Sequence, residues 1–200
     1  MSRWFVAGVL LLTACADDEP SLPYASAVVS FTPGDGAGYG QSEMPGIVLG
    51  PPVSKGPSSG SLDVLSLGVG GEIILDLGVT VVDGPGADII VFENAFTPRS
   101  APDTVFAEYG EVAVSLDGDT WSVFACNPPD DTETCAGWHP VNAFDPEDVI
   151  PLDPSVTGGD PFDLSALGVE KTRFLRIRDK SDAGVAPSAG FDLDAVGFVQ

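Results

Sequence analysis

Apolar and polar residues alternate along several short segments of the chain, and this two-residue period is typical of β-strands. Segment 71–77 has one apolar face, formed by Ile73, Leu75 and Leu77. Segment 88–92 is almost entirely apolar, which predicts a central strand covered on both faces. Further strands are predicted at 27–31, 173–178 and 191–199.

A β-hairpin is predicted in the middle of the chain. Its first strand, 111–116, alternates so that Val112, Val114 and Leu116 point inward. The turn Asp117-Gly118-Asp119-Thr120 follows, and 121–125 returns as the second strand, with Trp121 expected in the core. Helix is limited to short turns, at 146–148 or 165–167.

The turn-forming composition favours an all-β fold. The chain of 200 residues has 24 glycines and 18 prolines, and these separate the apolar runs. Local hairpins joined by long Gly/Pro loops predict a two-sheet antiparallel β-sandwich of jelly-roll type. No linker divides residues 27–200, so we expect a single domain there.

The first residues predict export. Arg3 precedes an apolar run from 4 to 12, which is too short to span a bilayer, and Leu12-Thr13-Ala14-Cys15 follows. This ending resembles the lipobox of bacterial lipoproteins, which implies cleavage before Cys15 and lipidation of that cysteine. The alternative is an ordinary secretory signal. We therefore expect a signal peptide at 1–14, a lipidated polar tether at 15–26, and a place in the bacterial cell envelope, with Ala16 favouring the outer membrane.

The charge excludes one class of partner. The formal net charge is −22, and loss of Arg3 with the signal would leave −23 (−22 − 1). Such a field repels nucleic acid, so no nucleic-acid partner is expected. The surplus carboxylates have two interpretations: solubility, or convergence of several on Ca²⁺, the cation that prefers oxygen ligands.

Two cysteines remain after Cys15 is assigned to lipid. Cys126 and Cys135 bracket a polar loop, and in an exported protein this spacing predicts a disulfide. A zinc site is disfavoured because His139 is the only histidine.

The order of these segments resembles the galactose-binding-like (discoidin-like) jelly rolls of bacterial cell-surface proteins. The Val-Ser-Leu-Asp-Gly run ending at Gly118, followed by Trp121, is similar to a hairpin of discoidin-like modules. The other matching stretches are 66–75 with 82–94, and 158–164 with 176–179 and 191–196. The resemblance implies a β-sandwich, frequently with a structural calcium, and a binding role without catalysis.

Two groups of acidic residues are candidate metal ligands. The first surrounds a Gly-rich turn and the end of a strand, and comprises Asp83, Asp88, Glu93 and Asn94. The second, weaker group comprises Asp160, Asp163, Asp192 and Asp194. For Asp192 and Asp194 the preferred interpretation is a ladder of Arg–Asp pairs with Arg176 and Arg178, if the two strands are neighbours.

Aromatic residues in loops are candidate ligand contacts. Phe96, Tyr109 and Trp138 are placed where rings can stack on sugar faces, although packing within the protein is the commoner role of such rings. We expect a calcium-assisted module that binds a glycan or another envelope component. The alternatives are a structural or adhesive protein-interaction domain and, less favoured, an envelope-polymer hydrolase using Glu93, Glu108 or Glu111. No catalytic residue is assigned.

Overall fold

The computed structural model describes residues 22–129, 134–182 and 184–199. The predicted signal peptide 1–14 and Cys15 lie outside the described residues. No helix in the described ranges is long and apolar enough to cross a bilayer.

The described chain folds as an antiparallel β-sandwich, which confirms the predicted class. Its strands are β1 Ala27–Thr32, β2 Leu65–Ser66, β3 Glu72–Val82, β4 Ile89–Glu93, β5 Gly110–Ser115, β6 Ser122–Val123, β7 Asp160–Phe162, β8 Lys171–Asp179 and β9 Asp192–Phe198. Within the described residues, one sheet has the order β1-β3-β8-β5-β6 and the other β2-β9-β4-β7. In the part of the chain that the structure describes, helix is limited to α1, Pro154–Thr157, and to single 3₁₀ turns at Gln41–Glu43, Gly46–Val48 and Leu164–Leu167.

The main core lies between the two sheets. The alternating strands β3 and β8 bury one face each, as predicted, whereas β5 is buried on both faces except at Glu111. Inward residues of these strands include Leu75, Val112 and Ile177. The facing sheet contributes Val91 and Leu193. Burial of each such side chain stabilises the fold by roughly 1.5–3 kcal/mol.

A second, smaller core covers the outer face of the four-stranded sheet. Ile90 and Phe92 of β4 pack there against Tyr24, Val141 and Leu152. This explains why β4 is apolar from Ile89 to Phe92: both of its faces are covered. The position of Tyr24 also corrects the C-terminal boundary of the predicted tether 15–26, because Tyr24 is buried and pairs with Gly197.

Two local expectations are wrong. Leu116 is 46% exposed, because β5 ends at Ser115 before the turn. Trp121 is only partly buried, and its ring lies 4.9 Å from the guanidinium of Arg176 on the outer face of the five-stranded sheet. The expectation of short helical turns is confirmed at 165–167, and the alternative place, 146–148, is a non-helical turn.

Candidate functional site

The strand β4 divides the first predicted acidic group between two places. Asp88 precedes β4 and Glu93 ends it, so the two carboxylates sit at opposite ends of a strand roughly 15 Å long. Asp83 lies close to Asp88 at one end of the strand, while Asn94 directly follows Glu93 at the other end. The four residues therefore do not form one site.

At the Asp88 end, a carboxylate from the second predicted group joins the first. One carboxylate oxygen from each of Asp83, Asp88 and Asp163 lies within 4.8 Å of the others. Asp88, however, already accepts hydrogen bonds from the backbone N–H of Gly84 and Leu164, both at 2.8 Å. Asp163 caps the 3₁₀ turn that follows it, accepting from Ser165 N–H at 2.8 Å. The hydrogen bonds of this cluster are therefore the ones that stabilise turns and helix caps.

Asp160 binds a loop instead of joining the cluster around Asp88. Its buried carboxylate accepts hydrogen bonds from the backbone N–H groups of Gly137, Trp138 and His139, and Nδ1 of His139 lies 2.8 Å from Oδ1. Burial raises the pKa of Asp160, and its hydrogen bonds with His139 and with the backbone of Gly137 oppose that shift. The aspartate therefore fixes the loop that carries Trp138 and His139.

The predicted Arg–Asp ladder is wrong, because β8 and β9 lie in different sheets. Arg178 pairs instead with Glu72 of β3 at 2.6 Å, and Arg176 approaches the same carboxylate at 3.7 Å. Asp192 and Asp194 are consequently left without an arginine partner among the described residues.

Three buried carboxylates lie on the paired strands β4 and β9: Glu93, Asp192 and Asp194. Burial, followed by the negative charges of Asp192, Glu108 and Asp160, raises the pKa of Glu93 well above its usual range. Burial also raises the pKa of Asp192 to about 6 and that of Asp194 to about 8. These groups resist ionisation unless a positive charge compensates them.

A surface cleft of about 400 Å³ lies at the junction of β5 and β8. The pairing of Gly110 with Asp179 brings the residues before β5 next to those after β8. The cleft is lined by Phe106, Ala107, Glu108, Tyr109, Pro128, Pro129, Lys180, Ser181 and Asp182. Burial, with the nearby charges of Asp192 and Asp179, raises the pKa of Glu108 to about 8.

The aromatic candidates frame this cleft in two stacked pairs. Tyr109, a lining residue, stacks on Trp138 with ring centroids 6.1 Å apart. Phe106, also a lining residue and 49% exposed, stacks on Phe96 at 5.2 Å. Tyr109 thus reaches the cleft itself, whereas Phe96 and Trp138 support residues that line it.

Sequence reasoning missed Lys180 and Asp182 as lining residues, and it considered Glu108 only as a hydrolase candidate. The sequence signal for these lining residues was weak, because it consisted only of polar residues directly after β8, the strand that pairs with β5. Only the register of β5 against β8 shows that these residues converge.

The disulfide between Cys126 and Cys135 is confirmed, with the two cysteines nine positions apart in the sequence. Both are buried, and Cys135 precedes Ala136, which pairs with Gly110 at the start of β5. The disulfide therefore ties the loop between β6 and α1 close to the cleft.

No protein-family model and no curated protein matches this chain. Among solved structures, one described as "Glycoside hydrolase" is similar with 15% sequence identity and a TM-score of 0.35. The alignment covers 95% of this chain and 34% of the other, so the chain spans about a third of that protein's length. A likeness this distant carries no argument about function.

Proposed function

We propose that this protein is a glycan-binding module of the bacterial cell envelope, with the cleft beside Tyr109 as its ligand site. The observation that carries the proposal is the combination of groups in one cleft: an aromatic ring held by stacking, two carboxyl groups and an amine. Sugar rings stack their apolar faces on aromatic rings, and their hydroxyls bond to carboxylates and ammonium groups. A volume of about 400 Å³ lies in the range of small-molecule sites.

The cleft is supported by rigid parts of the fold. Lys180 N–H donates to the carbonyl of Tyr109 at 2.8 Å, which joins the two walls. Asp179, beneath them, accepts from the N–H groups of Gly70, Ser181 and Phe191. Preformed walls reduce the entropy lost on ligand binding.

Neutral glycans are the expected ligands, because a net charge of −22 repels acidic polymers. The test is a glycan array followed by titration calorimetry, comparing the native protein with Tyr109→Ala. Tyr39→Ala is the matched control, since Tyr39 is another half-buried loop tyrosine that lines a different surface. We expect Tyr109→Ala to lose binding and Tyr39→Ala to keep it. Absence of binding to neutral and acidic glycans alike, with a specific protein partner recovered by cross-linking, would instead favour the protein-interaction alternative.

Envelope anchoring through Cys15 is the second part of the proposal. The disulfide supports it, because disulfides persist in exported proteins. Metabolic labelling with a fatty acid should mark the native protein and leave Cys15→Ser unmarked. Labelling of both proteins, or of neither, would contradict the anchor.

Hydrolysis of a glycan in the same cleft is a second candidate, favoured by Glu108. A carboxyl with a pKa of about 8 stays protonated at neutral pH and can serve as a general acid, and Asp182 lines the same cleft. The other two hydrolase candidates are disfavoured, because Glu93 is buried and Glu111 pairs with Lys180 at 3.4 Å. Turnover that Glu108→Gln abolishes, with glycan binding retained, would establish the hydrolase.

A further inference from the structure

A β-bulge brings two buried carboxylates to one small cavity. Phe92 of β4 pairs with Ala195, but the next residue, Glu93, pairs with Leu193, so Asp194 is the extra residue of β9. Glu93 and Asp194 both line a cavity of about 10 Å³, together with Asn94 and the serines at 54, 59 and 61. This volume is about that needed for one water molecule or one ion.

The carboxylate oxygens of Glu93 and Asp194 are not all paired by hydrogen bonds. Neither oxygen of Glu93 has a hydrogen-bond partner, although its side chain is buried. The backbone N–H of Asn94 lies close enough to lower the pKa of Glu93, but it donates to the carbonyl of Asp192 at 3.2 Å. Asp194 Oδ1 accepts from Val53 N–H at 3.1 Å, whereas its Oδ2 has no partner. Leaving buried carboxylate oxygens unpaired is energetically unfavourable.

The surrounding charges are also negative. The groups that act electrostatically on Glu93 are Asp192, Glu108 and Asp160, and the one that acts on Asp194 is Asp63. The ion pairs of the described residues engage other carboxylates: Asp76, Glu72, Glu111 and Asp160. A cation in the cavity would therefore compensate the negative charge of these buried carboxylates.

We propose that the cavity binds one Ca²⁺, with Glu93 and Asp194 as carboxylate ligands and oxygens of the serine-rich segment 54–61 completing the shell. The donors around the cavity are oxygens, which hard cations prefer, and two carboxylates match a divalent charge. So small a space excludes a hydrated ion. Ca²⁺ is preferred to Mg²⁺ because Mg²⁺ gives up its water reluctantly and usually keeps several water ligands.

The ion would fasten a segment that has few other attachments. Residues 51–61 contain no strand or helix. Three of their hydrogen bonds lie around the cavity: Val53 N–H donates to Asp194, Ser61 N–H donates to Asn94, and the Ser54 hydroxyl donates to Val141 O at 2.9 Å. Elsewhere in the segment, the carbonyl of Pro57 accepts from Thr97 N–H at 2.8 Å. Calcium binding thus goes beyond glycan recognition: it holds this segment against β4 and β9.

The test is calorimetric titration of the EDTA-stripped protein with Ca²⁺ and, separately, with Mg²⁺. Glu93→Gln and Asp194→Asn are the ligand variants. Both remove a buried charge while keeping the shape, so they should fold without the ion. Asp83→Asn is the matched control, because Asp83 belongs to the more exposed acidic cluster at the other end of β4.

We expect a single Ca²⁺ per chain in the native protein and in Asp83→Asn, no binding in Glu93→Gln or Asp194→Asn, and weaker binding of Mg²⁺. Hydrogen exchange in 51–61 should slow on adding Ca²⁺ to the native protein and stay unchanged in Glu93→Gln. The proposal is overturned if the native protein binds no ion, if binding survives in both ligand variants, or if only Asp83→Asn loses it. Equal binding of Mg²⁺ would overturn the assignment to Ca²⁺.

Discussion

Asp160 and His139 form the contact that holds the loop behind the cleft: Nδ1 of His139 lies 2.8 Å from a carboxylate that is 3% exposed. The same carboxylate accepts from three successive backbone N–H groups, so it replaces the partners that a regular strand would supply. Trp138 is one of those three residues, and its ring supports Tyr109. The position of the proposed ligand contact thus depends on one buried aspartate.

Asp160→Asn should lower the free energy of unfolding by about 1.5–3 kcal/mol, because hydrogen bonds to a buried charged acceptor are of this strength. Asp153→Asn is the matched control: Asp153 caps α1 from an exposed position, and Asn caps equally well. Urea denaturation of both variants measures the difference. Equal stability of the two variants would contradict the role of Asp160.

Without calcium, the protein should lose stability as the pH rises from 5 to 9. Folding raises the pKa of Asp192 to about 6 and those of Asp194 and Glu108 to about 8, so the folded state holds protons that the unfolded state releases. The stabilisation is complete below the ordinary carboxyl pKa near 4 and is lost as pH passes through the raised values, at up to about 1.4 kcal/mol per pH unit for each proton retained.

Thermal unfolding in EDTA at constant ionic strength measures this slope, and saturating Ca²⁺ should flatten it by compensating the ionised carboxylates. Asp194→Asn should show a smaller slope than the native protein in EDTA. A melting temperature that stays constant or rises between pH 5 and 9 in EDTA would refute the prediction.

Reduction of the disulfide should destabilise the domain by about 2–3 kcal/mol, because Cys126 and Cys135 close a short loop. Urea denaturation with and without dithiothreitol measures the loss. The double variant Cys126→Ser/Cys135→Ser should match the reduced protein and be insensitive to the reductant. A native protein that unfolds at the same urea concentration in both buffers would show that the disulfide contributes nothing.

Gly137→Ala should destabilise the protein by more than about 2 kcal/mol. Gly137 has a φ of 93°, and a Cβ there would overlap the carbonyl oxygen of Glu108 in the cleft wall. Gly86→Ala is the control, since Gly86 has a φ of 91° but open space around it, so only the backbone strain of about 1–2 kcal/mol applies. Equal losses in the two variants, measured by urea denaturation, would show that the overlap is relieved at no cost.

The strands and the sandwich class could be predicted from the sequence. Alternation in β3 and β8 and the continuous apolar run of β4 report burial on one face or on two, and burial is a local property of each strand. The disulfide also followed from the sequence, because two cysteines and a short polar loop leave few alternatives.

Which acidic residues come together depends on the tertiary structure. The first predicted group was assembled from neighbours in the sequence, but Asp88 and Glu93 are separated by the length of β4. Arg178 is turned toward Glu72 because β8 and β9 belong to different sheets. The placement of Glu93 and Asp194 on one cavity depends on a bulge in the β4–β9 register, and the cleft depends on the register of β5 against β8. Strand order and register arise from the packing of the whole chain, so no local pattern contains them.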